Sequence, residues 1–294
     1  MTAIIEKSNY RMISLFAFII ISWGMAWPVN KIALTYMSPL WYTATQLIVG
    51  TMTMMAVIIA IKKFALPKRQ DLPLIAVVGL LQISIYILLA NIGLAYLPAG
   101  RSSLLGYITP LWVMPAATLF FNEKAGPLRW LGFCLAIVGL ILLLCPWEMN
   151  WSDSHILFGT AMLLLASLCW AISMICARYM RWTKSPLELI PWQLFIGTIP
   201  ILLFAWIKEP SISIDWNQSL ILAIVYTGIL VTGLSYWGGL VINKELPTIA
   251  VSIGFLAVPV FSLLVSALFM HEVISLSTAA AMSLILVGLI CVAI

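Results

Sequence analysis

The stretch LPAGRSSLLGYITPLW at residues 97–112 has a counterpart 149 residues later, LPTIAVSIGFLAVPVF at residues 246–261. In both copies a Leu-Pro pair opens a long apolar run, and a second proline lies inside that run. Proline is tolerated in the first turn of a helix, whereas inside a helix it frees carbonyls and favours a kink. Each copy therefore predicts an apolar helix that begins at the first proline and kinks near the second.

The repeat extends well beyond these two stretches. The same offset of 149 joins Gly79, Ser103, Pro110, Glu123 and Gly139 to Gly228, Ser252, Pro259, Glu272 and Gly288. Towards the N-terminus an offset of 147 joins Trp23, Lys31, Pro39, Gln46 and Gly50 to Trp170, Arg178, Pro186, Gln193 and Gly197. These matches predict two homologous halves, residues 1–146 and residues 147–294.

The composition indicates a membrane protein. Hydrophobic residues make up 63% of the 294, against about 45–50% in soluble domains, and charged residues only 9%, against about 25%. So few charges would leave most of a globule's surface apolar. This excludes a soluble enzyme, a secreted disulfide scaffold and a disordered chain. The net charge of +5 comes from scattered single and paired basic residues, so it does not indicate a nucleic-acid partner.

Ten apolar stretches are long enough to be transmembrane helices, for which about 20 residues suffice. The predicted fold class is therefore all-α integral membrane, with ten transmembrane helices. The stretches run over Met12–Tyr36, Pro39–Ile61, Pro73–Tyr96, Pro98–Phe121, Pro127–Cys145, Ile156–Met180, Leu187–Ile207, Gln218–Ile242, Pro247–Met270 and Ser275–Ile294.

The odd number of helices in each half has a geometric consequence. If the first half begins on one side of the bilayer, the second begins on the other, so the halves are inverted repeats. With the N-terminus inside, only Lys31, Arg101 and Lys208 of the 15 basic residues face outwards, and the other 12 face the cytoplasm. The positive-inside rule thus predicts a cytoplasmic N-terminus and C-terminus.

These residues resemble the drug/metabolite transporter superfamily, specifically its EamA-type ten-helix members. The most specific motifs are Leu97-Pro98-Ala99, Thr109-Pro110-Leu111-Trp112 and Asn122-Glu123-Lys124, together with Trp23-Gly24. The resemblance implies a carrier of the cell inner membrane, with two inverted five-helix repeats around a central cavity. It also implies export of amino acids, other metabolites or toxic compounds, without identifying the substrate.

Candidate substrate-binding residues follow from helical spacing and from the cost of burying polar groups. Each could instead serve helix packing or bond between helices, and the sequence leaves this open. The candidates share an aromatic ring, an amide or a hydroxyl deep in an apolar stretch: Trp23, Trp27, Asn30, Gln46, Gln82, Tyr86, Tyr107, Trp170, Gln193 and Ser235.

A carrier of small neutral or zwitterionic metabolites, most of all amino acids, is the favoured function. No carboxylate lies near the centre of a predicted helix. This absence weakens the case for proton coupling and for the alternative function, efflux of drugs or lipophilic cations. His155, His271 and the cysteines show no metal-ligand spacing, and no catalytic set appears. We therefore expect no enzyme activity, cofactor or metal, and a lipid-embedded monomer or homodimer.

Overall fold

The computed structural model describes residues 2–121, 126–144, 153–210, 214–270 and 275–293. Within them the secondary structure is helical throughout. The α-helices are α1 (Thr2–Ala33), α2 (Pro39–Ala60), α3 (Leu72–Val77), α4 (Tyr86–Tyr96), α5 (Ala99–Gly106), α6 (Thr109–Phe121), α7 (Pro127–Leu144), α8 (Ser154–Tyr179), α9 (Pro186–Lys208), α10 (Gln218–Tyr226), α11 (Tyr236–Glu245), α12 (Thr248–Gly254), α13 (Ala257–Met270) and α14 (Leu276–Ala293).

In the described part of the chain, seven helical spans are long and apolar enough to cross a membrane. Three further helices are apolar but shorter, and they cover Pro127–Leu142, Ala257–Met270 and Leu276–Gly288. The all-α membrane class predicted from the composition is confirmed. Glu123, Glu272 and the boundary between the two predicted halves lie outside the described residues.

Two of the predicted helices are interrupted near the repeated prolines. The stretch predicted over Pro98–Phe121 divides into α5 and α6, and the stretch predicted over Pro247–Met270 divides into α12 and α13. Proline has no N–H to donate to the carbonyl four residues earlier. For Pro110 that carbonyl belongs to Gly106, the last residue of α5. By contrast, α1 continues as a helix through Pro28.

Two other predicted helices contain a π-helical segment. The segments are Val78–Ile85, between α3 and α4, and Thr227–Ser235, between α10 and α11. They begin 149 residues apart, which is the offset of the sequence repeat. A π turn takes in one extra residue, and one residue corresponds to about 100° of helix rotation. Side chains after each segment therefore point in directions that a regular helix does not predict.

The helices pack in pairs around the middle of the protein. The most extensive contacts join α7 to α14, α2 to α9, α4 to α8 and α1 to α13. In addition, α2 packs on Thr227–Ser235, and α9 packs on Val78–Ile85. The outer faces carry exposed apolar side chains such as Phe120 and Phe269, as expected where lipid is the solvent.

Opposite ends of the helices are held by hydrogen bonds between distant loops. At one end, Asp71 accepts hydrogen bonds from the main-chain and side-chain donors of Thr183, at 2.9 and 2.5 Å. At the other end, Ser38 donates to Glu209, whose carbonyl also accepts from the Trp41 indole at 3.1 Å. Each end of the helix assembly therefore has a hydrogen-bonded contact between segments that are distant in the sequence.

Candidate functional site

A small cavity of about 50 Å³ lies in the centre of the protein. Its wall comes from α1, α2, α4, α8, α11, the segment Thr227–Ser235 and the break between α5 and α6. The proline-associated break matters here because it carries Tyr107. The lining residues are aromatic, amide or aliphatic, and none is charged: Trp23, Ala26, Trp27, Asn30, Gln46, Tyr86, Ile87, Ala90, Asn91, Tyr107, Trp170, Val231 and Tyr236.

Aromatic rings form part of the cavity wall. The Trp23 ring centre lies 5.3 Å from that of Trp170, at an interplanar angle of 90°, and 5.0 Å from that of Phe255. Trp170 in turn lies 4.6 Å from Tyr86 and 5.5 Å from Tyr236. These are the edge-to-face arrangements that aromatic rings prefer. The cluster therefore has a fixed shape, and it presents ring faces and edges to the cavity.

Amide groups form another part of the cavity wall. The Asn30 Nδ2 donates to Asn91 Oδ1 at 3.3 Å, and the Asn91 Nδ2 donates to Thr43 Oγ1 at 2.9 Å. The Tyr42 hydroxyl donates to Asn30 Oδ1 at 2.8 Å and lies 3.1 Å from Thr227 Oγ1. We call these five residues the polar chain. It connects α1, α2 and α4 to the second π-helical segment.

Gln46 also lines the cavity and has an unpartnered acceptor among the described residues. Its Nε2 donates to Thr232 Oγ1 at 2.9 Å, whereas its Oε1 is buried and has no hydrogen-bond partner among the described residues. A buried acceptor without a partner costs about 1–3 kcal/mol. A ligand that donates a hydrogen bond at this point would remove that cost.

The structure places seven of the ten predicted site residues around the cavity: Trp23, Trp27, Asn30, Gln46, Tyr86, Tyr107 and Trp170. The other three are buried elsewhere. Gln82 accepts a hydrogen bond from Ser173 at 3.1 Å, and Ser235 bonds Ser22. Gln193 is completely buried, and neither atom of its amide has a partner among the described residues.

The π-helical segments explain two of the three misplaced residues. Gln82 lies within the first segment and Ser235 ends the second, so regular helical spacing does not predict where either side chain points. The residue after Ser235 is Tyr236, and it takes the place at the cavity that the sequence assigned to Ser235.

Sequence reasoning also missed Asn91 in the cavity wall. Asn91 is 1% exposed, and its amide is the middle link of the polar chain. The signal was present, because a single amide in an apolar helix must find a polar environment. The same argument selected Gln46, so applying it to every amide in the apolar stretches would have included Asn91.

The side chains of the cavity wall indicate which chemical groups it can bind. Aromatic faces take apolar groups or cations, and amides take carbonyl, carboxylate or ammonium groups. Among the described residues, no three His, Cys, Asp or Glu side chains are grouped so that they could hold a metal ion. Cys145 and His271 lie outside the described residues.

Comparison with known sequences gives a consistent result. The model of the EamA-like transporter family matches residues 11–145 and residues 157–294. A relative from Bacillus subtilis (strain 168), "Uncharacterized transporter YvbV", is 28% identical over 94% of this chain and 89% of its own length. A relative from Salmonella typhimurium, "Probable amino-acid metabolite efflux pump", is 29% identical over 92% of this chain and 91% of its own length.

Comparison with solved structures supports the same fold. A crystal structure matches with a TM-score of 0.74 at 18% sequence identity, and the match covers 95% of this chain and 98% of the other. At this identity the match bears on the fold alone.

Proposed function

Because the chain belongs to the EamA-like transporter family, we propose that it exports small neutral or zwitterionic metabolites, amino acids above all, by alternating access. The observation that carries the proposal is the composition of the cavity wall, which among the described residues combines aromatic rings with amides and holds no charged side chain. The Salmonella relative, whose printed name is that of an amino-acid metabolite efflux pump, favours the same class of substrate. The substrate-binding residues are the seven predicted residues in the wall, with Asn91 and Tyr236.

The proposed architecture is ten transmembrane helices in two inverted five-helix repeats, residues 1–146 and 147–294. The protein lies in a bacterial inner membrane, and both termini are in the cytoplasm. Three observations support the repeats. The family model matches the chain twice. The π-helical segments begin 149 residues apart. The contacts of α2 with Thr227–Ser235 and of α9 with Val78–Ile85 are the same contact with the halves exchanged.

Alternating access fits the small size of the cavity. Pockets that bury drug-sized ligands have volumes of about 300–1,000 Å³, whereas this one measures about 50 Å³. The small volume supports a contracted conformation, in which the Asp71–Thr183 contact lies at one end and the Ser38–Glu209 contact at the other. For a substrate to enter, one of these contacts opens while the other holds, and the breaks at Pro110 and Pro259 let the helices bend.

The transport proposal can be tested with purified protein in liposomes. We expect saturable, protein-dependent flux of at least one amino acid from a labelled panel. Trp170→Phe removes an indole that packs on three aromatic rings of the site, and one such contact contributes about 0.5–1.5 kcal/mol. We expect this variant to raise the KM about threefold to tenfold. Trp206→Phe is the matched control, because Trp206 is 70% exposed. No flux for any amino acid would contradict the proposal.

Efflux of lipophilic cations is the second candidate function, and the aromatic cluster favours it. A cation over the face of a tryptophan or tyrosine gains about 0.5–2 kcal/mol, and Trp23, Trp170, Tyr86 and Tyr236 lie together at the cavity. Cells that lack the protein would then be more sensitive to quaternary amines and cationic dyes. Unchanged tolerance across a wide panel would exclude this function.

The inverted architecture has a separate test. Lys63 follows α2 and Lys208 ends α9, so inverted repeats place these two residues on opposite faces of the membrane. Single cysteines at the two positions, in a cysteine-free background, should react with a membrane-impermeant maleimide from opposite sides. Labelling of both from the same side would overturn the architecture.

A further inference from the structure

The polar chain beside the cavity has no polar equivalent in the other half of the protein. At the offsets of the repeat, every one of its five positions is occupied by an apolar residue that is at most 1% exposed. At the equivalent positions in the other half, the helices pack through apolar side chains alone. The polar groups of the polar chain are therefore not required for helix packing. The apolar counterparts of Asn30, Tyr42, Thr43, Asn91 and Thr227 are Ala177, Leu189, Ile190, Leu240 and Val78.

At one buried position the amide lies in the second half of the protein, and its counterpart in the first half is apolar. Asn243 is 5% exposed, and its counterpart in the first half is Leu94. The Asn243 Nδ2 donates to the Met174 carbonyl at 3.0 Å, so this amide joins two helices. Asn243 does not line the cavity, whereas Asn30 and Asn91 do.

Hydrogen-bond directions along the polar chain follow from one carbonyl. The Thr43 hydroxyl lies 2.7 Å from the Pro39 carbonyl oxygen, which can only accept, so Thr43 donates there. Thr43 Oγ1 must then accept from the amide nitrogen of Asn91. This places Asn91 Oδ1 towards Asn30, whose amide nitrogen donates to it. The orientation of both amides is thereby determined.

This orientation leaves two donors unused. An amide nitrogen carries two hydrogens, and within the described residues the Nδ2 atoms of Asn30 and Asn91 each donate to a single acceptor. Both residues line the cavity, and so does Gln46, whose Oε1 has no hydrogen-bond partner among the described residues. Among the described residues, the wall contains no charged side chain that would compete for these groups.

We infer that Asn30 and Asn91 bind the carboxylate of the transported metabolite through these two N–H groups. Tyr42, Thr43 and Thr227 are positioning residues, because they hold the amides without lining the cavity. Gln46 Oε1 accepts from the substrate's ammonium group. The rest of the molecule packs on the aromatic rings, so the substrate has a fixed orientation. The inference rests on the proposed function and adds a requirement for a carboxylate.

The test compares ligands that differ only by the carboxylate: L-leucine with 3-methylbutylamine, and L-phenylalanine with 2-phenylethylamine. Affinities are measured by titration calorimetry on the purified full chain. A hydrogen bond to a charged group contributes about 1.5–3 kcal/mol, which corresponds to about tenfold or more in affinity. We expect the wild-type chain to bind each amino acid at least about tenfold more tightly than its amine.

Three variants locate this preference. Asn91→Leu introduces the residue of the other half and should abolish the preference. Asn91→Asp should reverse it, since a carboxylate replaces a donor; this variant retains the acceptor for Asn30, and Thr43 can turn its hydroxyl towards it. Asn243→Leu is the matched control, because it removes an equally buried amide away from the cavity and should leave the preference unchanged.

Each possible result of these measurements supports or contradicts the carboxylate site. A preference that survives in both Asn91 variants, or that Asn243→Leu also abolishes, overturns the carboxylate site. If wild-type protein binds amines as tightly as amino acids, the carboxylate site is wrong while a carrier function remains. If it binds neither the amino acids nor the amines, the proposed substrate class fails as well. Asn91→Asp decides the question if Asn91→Leu does not fold.

Discussion

Each π-helical segment packs against an α-helix, and the two contacts lie at equivalent positions of the sequence repeat. We call these two contacts the crossings. α2 crosses Thr227–Ser235, and α9 crosses Val78–Ile85. Gly50 and Gly197, which are 147 residues apart, lie at the respective crossings. A Cβ added to Gly50 would lie 2.7 Å from a threonine methyl group, whereas one added to Gly197 would lie 2.5 Å from a main-chain carbonyl oxygen. Small residues allow such close approach of helices in membranes.

The side chains at the two crossings differ in chemistry. At the first crossing Gln46 donates to Thr232 and lines the cavity. At the second, Gln193 occupies the matching position, but the counterpart of Thr232 is Ile83, and the amide has no partner among the described residues. The comparison teaches that helix packing is common to both crossings, whereas the polar chemistry of the site belongs to one.

The largest expected effect comes from placing a methyl group at each crossing. Gly197→Ala forces a main-chain carbonyl away, whereas Gly50→Ala mainly displaces the Thr232 side chain. Overpacking typically costs about 1–3 kcal/mol, so we expect Gly197→Ala at about 3 kcal/mol and Gly50→Ala at about 1 kcal/mol. Thermal unfolding in detergent measures both.

Gly126→Ala is the control for these variants, since the added Cβ would meet no described residue other than its chain neighbours within 4 Å. Equal losses for Gly197→Ala and Gly50→Ala would mean that the two crossings do not differ in how closely their backbones approach.

The part of the fold that depends on local chemistry could be predicted from the sequence. Apolar run lengths indicated membrane helices, and prolines marked helix starts and the interruptions near Pro110 and Pro259. The matches of Gly50 and Gly79 to later glycines pointed to positions that are now seen to form the crossings. Each of these signals acts through the residue's own backbone or through the cost of placing charges in lipid.

Which side chains line the cavity could not be predicted in the same way. The π-helical segments carry no recognisable sequence signal, yet they decide that Tyr236 faces the cavity and Ser235 does not. The partners of the amides lie on distant helices: Asn91 bonds Thr43, and Gln46 bonds Thr232. Only tertiary packing brings such partners together, so helical spacing alone identified candidates without their roles.

An intermediate effect is expected from replacing the two equivalent glutamines. Gln193→Met removes two buried polar atoms that lack partners, so we expect stability to rise by about 1 kcal/mol. Gln46→Met removes the hydrogen bond to Thr232 together with one unpartnered oxygen, so the two effects oppose each other and we expect little change in stability. The melting temperature should therefore rise for Gln193→Met alone, by roughly 2–4 °C for a chain of this size.

Transport assays extend the glutamine comparison to function. Gln46→Met should weaken substrate binding, because Gln46 lines the cavity, while Gln193→Met should leave it unchanged. A loss of transport that is as large for Gln193→Met as for Gln46→Met would show that the second amide also reaches the substrate.

The smallest expected effect lies at Thr51 and Thr198, which occupy equivalent positions on α2 and α9. Their hydroxyl oxygens are 2.9 Å apart, and each hydroxyl also lies within hydrogen-bond distance of a carbonyl four residues earlier in its own helix. A hydroxyl has a single hydrogen. When one threonine donates across to the other helix, the second donates to its own helix.

Replacing either threonine by valine therefore removes the same interhelical bond. Such bonds in membranes contribute about 0.6 kcal/mol on average, and we expect that loss for Thr51→Val and for Thr198→Val. The double variant should lose little more than either single one, because the shared bond is already absent. A double-mutant cycle by thermal unfolding measures this coupling. Fully additive losses would mean that the two helices are not joined by this bond, and that the contact between α2 and α9 depends on apolar packing alone.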